Sequence, residues 1–306
     1  MTTMALLTLA ILPGFIVVQR YYAKDHLQKE PIVVILRSFF WGAALVIPVG
    51  IFESLIPMGE SESITEIAIH NFIVIALSEE LAKYLAIRFY SYKNDAFNEH
   101  FDGIVYGACV GGGFATFENI FYVLDHGFAV GVLRAFLSVP GHILWGAIVG
   151  HWIAKEKMEN LSPWKALLVG VGISSFLHGG FDFVLQFESV SLYLAPVFVL
   201  SPLFIVRWYT KASLEKDHII LFPNDSFLPK PIVENNDPNS LLQKLMRTLL
   251  YSITIMFSIF GVFLTIVASI DYANQAEDFE TWLFLIPMIA FGIAILSFRW
   301  AKKLSM

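Results

Sequence analysis

The hexapeptide SEELAK, residues 78–83, places Glu79, Glu80 and Lys83 in the middle of an apolar run covering residues 67–90. Acids or imidazoles recur in the next three apolar runs. Glu118 lies beside Asn119 in GIVYGACVGGGFATFENIFYVL, His142 lies in GVLRAFLSVPGHILWGAIVGHW, and His178 and Asp182 lie in LVGVGISSFLHGGFDFVL. A buried glutamate beside a like charge can act as general base on water. A histidine supported by an aspartate can move a proton or stabilise an oxyanion. Together these groups would hydrolyse an amide bond inside a bilayer. In a second version, Glu80, Glu118, His142 and His178 hold a metal ion that polarises water and carbonyl. The residues leave open whether zinc or no metal is used, and the HExxH helix signature of zinc proteases is absent.

Each residue also has a plainer role. Glu79 and Lys83 are four apart, so they suit a neutralising helical pair that leaves Glu80 as the water-facing acid. If Lys83 instead bonds Glu80, three residues back, the two acids exchange roles. Glu118 continues a stripe of Gly103, Gly107 and Gly111, whose four-residue spacing permits close helix approach. His142 follows Pro140 and Gly141, where a helix can kink. Arg134 either snorkels outward or pairs with Glu118 or Asp182. His178 and Asp182 have the spacing at which a carboxylate holds one imidazole tautomer. Ser174 shares their face, but side chains stacked along one helix do not converge on one carbonyl. Asp102 reads as a helix N-cap, His151 as an interfacial residue, and the single cysteine, Cys109, as packing.

These groups must be carried by membrane-spanning helices. The chain has 306 residues, of which 57% are apolar and only 15% charged, and its mean hydropathy is +0.66. That composition predicts an all-α polytopic bundle in the plasma membrane. The net charge of −6, with no basic cluster, excludes a nucleic-acid partner. Nine spans are expected, near 3–20, 31–56, 64–91, 101–124, 127–154, 164–186, 188–209, 244–270 and 280–300. The first lacks a positively charged start and a small-residue cleavage site, so it reads as a retained span. Lys and Arg concentrate in alternate connections, which places the N-terminus outside and the C-terminus in the cytoplasm. At ~1.5 Å per residue, Glu79, Glu80, His142 and His178 then share the midplane, with Glu118 and Asp182 somewhat outward. An ionisable group there costs about 2.5–3.5 kcal/mol on insertion scales, so several at one depth call for a shared site. Residues 1–210 form the core and 211–243 an irregular cytoplasmic loop rich in Pro, Asn and Asp. Residues 244–306 form a two-span hairpin.

A proton- or ion-coupled transporter could use the same acids and histidines as a relay. Transporters of this size commonly show internal repeats, yet SEELAK has no counterpart and the glycine-rich block occurs once. Four blocks decide the comparison: EExxK at Glu79–Lys83, DGIVYGACVGGGFATFEN, PGHILWG with His142, and His178 with Asp182. With YYAKDHLQKEP ahead of the second span, they resemble the PrsW family of bacterial intramembrane proteases over about residues 10–210. That family is distantly similar to CAAX prenyl endopeptidases. The resemblance implies site-1 cleavage of a single-span anti-sigma factor among membrane lipids, with Glu79, Glu80 and His178 carrying the activity. The prenyl endopeptidases have FxxxH where this chain reads FATFE, Phe114–Glu118, so an acid replaces a histidine and His142 is the candidate to fill that role.

Overall fold

The computed structural model describes residues 3–58 and 64–223, with Gly292, Ile295 and Arg299 as single positions further on. The chain divides into two units, Met1–Asp225 and Ser226–Met306. Among the described residues every regular element is helical. Helices α1 (Thr3–Lys24) and α2 (Ile32–Ser54) are joined by a short connection that ends at Pro31. Next come α3 (Ile64–Ile69), a π-helical turn (His70–Ala76) and α4 (Leu77–Phe89), end to end in one rod. Helices α5 (His100–Phe136), α6 (Ser138–Glu159), α7 (Pro163–Leu185) and α8 (Glu188–Leu221) complete the described chain.

Among the described residues, five helical segments are long and apolar enough to cross a membrane: Thr3–Lys24, Ile32–Ser54, His100–Glu159, Pro163–Leu185 and Tyr193–Leu221. His100–Glu159 contains both α5 and α6. The rod carrying SEELAK is not among the five, because the π-turn divides it into short pieces. The two expected spans at 244–270 and 280–300 lie outside the described residues. The lipid-facing character is visible in the side chains that point outward. Phe40, Trp41, Phe89, Phe136, Leu168 and Phe204 are exposed, while the charged side chains of SEELAK are buried.

The structure corrects several expected boundaries. The helix expected over 127–154 is divided. Gly127 has φ 80° and ψ −160°, which kinks α5, and a second break falls at Leu137. Pro140 explains that break, because its ring would clash with the carbonyl four residues back in an uninterrupted helix. In the first turn of α6 it does no harm. Helix α8 continues to Leu221, so the start of the expected loop at 211–243 is helical. Asp102 is not the N-cap of α5. Glu99 is, and Asp102 occupies the third helical position of a reciprocal capping box.

Helix α5 lies at the centre because its glycines let backbones approach on several sides. A Cβ added at Gly103 or Gly107 would collide with the backbone of Gly150 or Gly146 on α6. One added at Gly113 would collide with the Phe39 carbonyl on α2. The glycine stripe read from the sequence is thus the α5–α6 contact, and it points the Glu118 end of α5 at the start of α6.

Candidate active site

The π-turn precedes the two acids directly. Phe72 in that turn packs against Gly179 of α7, where a Cβ would meet its ring and backbone. The close approach sets α4 against α6 and α7. Glu79, Glu80 and Lys83 are consequently buried, at 4%, 0% and 0% exposure.

Lys83 decides how the acids differ. Its Nζ lies 2.6 Å from Glu80 Oε1 and 3.6 Å from Glu79 Oε2. The pair closes at the three-residue spacing, and the acids exchange the roles first expected of them. Glu80 Oε1 also accepts from His178 Nδ1 at 3.0 Å. Glu79 Oε2 is buried without a hydrogen-bond partner. It sits 3.6 Å from His142 Nδ1 and 3.9 Å from His178 Nε2.

The histidines come from α6 and α7. Lys83 Nζ approaches His142 Nδ1 to 2.9 Å, and His142 Nε2 faces Glu118 Oε2 at 3.1 Å. An ammonium can only donate, so His142 accepts at Nδ1 and carries its proton at Nε2, toward Glu118. Arg134 holds Glu118 at 2.7 Å and also reaches Asn119 Oδ1 at 3.2 Å. Of the two outcomes open to Arg134, pairing with Glu118 is the one adopted. His178 Nε2 lies 3.1 Å from Asp182 Oδ2. Glu79, Glu80, Glu118, His142, His178 and Asp182 thus form one continuous cluster from four helices. Glu118 and Asp182 mark its more open rim, with side chains 17% and 21% exposed. Ser174 has no part in it, since its hydroxyl donates to the Trp145 carbonyl at 2.9 Å.

Two neighbours were not singled out in the sequence. Trp145 stacks on His178, with centroids 4.3 Å apart and planes 16° apart. It lies three residues after His142 and so shares its face, a signal available in HILW. Glu53 accepts from Ser78, the residue before Glu79, at 3.2 Å.

The donor atoms of Glu79, His142 and His178 lie within 4.8 Å of one another, and all three residues are buried. Two imidazoles and a carboxylate with an unpartnered oxygen are a donor set suited to a zinc-type ion that keeps an open position. The residues therefore fit such an ion, provided the Lys83 ammonium, 2.9 Å from His142 Nδ1, gives up that nitrogen to it. The donor set differs from the one expected. Glu80 is taken up by Lys83 and His178, and Glu118 by Arg134 and His142.

A family described as "PrsW family intramembrane metalloprotease" matches residues 30–207. The Protease PrsW of Bacillus subtilis (strain 168) is 33% identical over 207 residues, covering 67% of this chain and 91% of the relative. That of Oceanobacillus iheyensis is 34% identical over 218 residues, covering 71% and 99%. That of Clostridioides difficile is 32% identical over 218 residues, covering 69% and 89%. No solved structure matches the chain.

Proposed function

Because the chain belongs to the PrsW family of intramembrane proteases, we propose that Glu79 is the base that activates the hydrolytic water. The observation that carries this reading is the unpartnered Glu79 Oε2 between two imidazoles, while Lys83 is committed to Glu80. Glu79 takes a proton from water, and the oxygen attacks the carbonyl carbon of the scissile amide. His178, held at Nδ1 by Glu80, carries a second proton at Nε2 beside Asp182 and Glu79, and this Nε2–H turns from Asp182 to the oxyanion that develops. Glu79 then returns the proton to the departing amine. His142, fixed by Glu118 and Lys83, walls the opposite side of the gap. A divalent cation held by Glu79, His142 and His178 would supply Lewis-acid polarisation of water and carbonyl, in place of the free Glu79 base.

The substrate on this reading is a single-span membrane protein of the anti-sigma-factor kind, cut at site 1. A bond must enter the bundle at the depth of SEELAK to be cut, which suits a substrate segment that already lies in the membrane. The N-terminus lies outside and the C-terminus in the cytoplasm, on the Lys/Arg alternation. The experiment is cleavage of a single-span anti-sigma factor by purified protein in detergent, comparing wild type with Glu79→Gln and repeating both after chelation. Wild type should cleave and Glu79→Gln should not. Equal cleavage by the two would remove Glu79 from the chemistry, and loss on chelation would establish the need for a cation.

A further inference from the structure

A second group of acids lies away from the protease site, at the end of the bundle that carries the Lys24 and Lys29 connection. Asp25 and Glu30 come from the α1–α2 connection and Asp102 from the first turn of α5. Their donor oxygens lie within 4.8 Å of one another and all three residues are buried. Exposure is 0% for Asp25, 3% for Glu30 and 0% for Asp102. One oxygen of each is anchored. Asp25 Oδ2 accepts from the Glu30 backbone N–H at 3.0 Å, Glu30 Oε2 accepts from the Tyr106 hydroxyl, and Asp102 Oδ2 accepts from the N–H groups of Asn98 and Glu99 at 2.7 and 2.6 Å.

Asp25 Oδ1 and Asp102 Oδ1 are buried and receive no N–H or hydroxyl donor, and the Glu30 and Asp102 carboxyl groups are close enough to hydrogen-bond one another. The cation that could have answered them, Lys157, directs its ammonium to the carbonyls of Tyr92 and Asn94, at 2.6 and 3.2 Å. Glu99 adds a further buried unpartnered oxygen, Oε1. It also lines a pocket of about 140 Å³ with Asn98, His100 and Asp217. Three carboxylates, each pinned by one oxygen and converging with Lys29 and Lys157 nearby but no direct ion pair to any of them among the described residues, are costly unless something neutralises them.

We propose that Asp25, Glu30 and Asp102 form a binding site for a hard divalent cation, Mg²⁺ or Ca²⁺, that ties the α1–α2 connection to the start of α5. All-oxygen donors of this kind select such ions rather than zinc or copper.

The test uses the full chain in detergent, stripped with chelator and titrated with Mn²⁺ as the probe, read by electron paramagnetic resonance. It is run on wild type and on Glu79→Gln, so that binding at the protease site is separated from binding here. Mn²⁺ should bind Glu79→Gln and be displaced by Mg²⁺ or Ca²⁺, and the more effective competitor identifies the natural occupant. Asp25→Asn and Asp102→Asn should each weaken binding by about tenfold or more. In wild type, trypsin cleavage after Lys24 and Lys29, mapped by mass spectrometry, should slow when the cation is added. This second measurement decides the matter if a variant fails to fold. Absence of Mn²⁺ binding in Glu79→Gln, equal binding by the Asp25 and Asp102 variants, or trypsin cleavage indifferent to the cation would each overturn the site.

Discussion

Glu79 and Glu80 are separated by one position and by about 100° around the helix, and they have different neighbours. Each has one buried unpartnered oxygen, but Glu80 is held by Lys83 and His178 through its other, whereas the free Oε2 of Glu79 lies between the two imidazoles. Replacing Glu79 by Gln should cut cleavage by about 10²–10⁴-fold and leave the melting temperature near that of wild type, since a neutral amide is easily buried. Replacing Glu80 by Gln takes the near partner from a fully buried ammonium. It should destabilise the protein by about 3–5 kcal/mol, seen as a lowered melting temperature alongside lost cleavage. If the two variants melt alike, the division of labour around Lys83 is wrong. The motif and its histidines were legible from residue type and depth. The partner of Lys83 was not, because both the three- and four-residue spacings are within its reach and only packing against α6 and α7 selects one. Arg134 makes a further test. It fixes Glu118 at 2.7 Å, and Glu118 in turn fixes His142. Arg134→Met should lower kcat more than it raises KM, and Arg134→Lys should restore part of the loss. A purely structural role would give no such rescue by charge.

Among the elements, α5 and α6 carry the most exacting constraint. A Cβ on Gly107 would run into the Gly146 carbonyl, whereas one on Gly50 or Gly172 would meet nothing within 4 Å. Gly107→Ala should therefore cost about 1–3 kcal/mol, whereas Gly50→Ala and Gly172→Ala should melt close to wild type; thermal unfolding of the three in one detergent checks the contrast. The stripe was readable because its spacing is the signature of close helix approach. The break at Leu137 was read in part: Pro140 and Gly141 mark a place where a helix can kink, but hydropathy continues through it, so the end of one helix and the start of another were not visible. The extension of α8 to Leu221 was hidden in the same way, since charged residues past the membrane surface can continue a helix as readily as end it.

At the scale of the molecule, the family match ends at residue 207, and all six site residues lie within the unit Met1–Asp225. A chain ended after Asp225 should accordingly insert and cleave at a rate comparable to the full chain, measured on the same substrate in detergent. The chain belongs to a family of intramembrane proteases, which sets hydrolysis above an ion relay as its activity. That resolution came from the ordered set of blocks, whereas composition alone allowed either. The burial of SEELAK also has a consequence for biogenesis. Three ionisable groups at about 2.5–3.5 kcal/mol each oppose partitioning of this rod into lipid. The residues that accept them, His142 and His178, are synthesised later. Nascent chains released soon after residue 100 should therefore leave the 64–89 rod outside the bilayer, while chains extended past 185 bring it in, as protease protection of microsomal or inverted-vesicle translation products would report. The helix that cuts other proteins in the membrane is, on this view, unable to enter it until the rest of its own active site has been made.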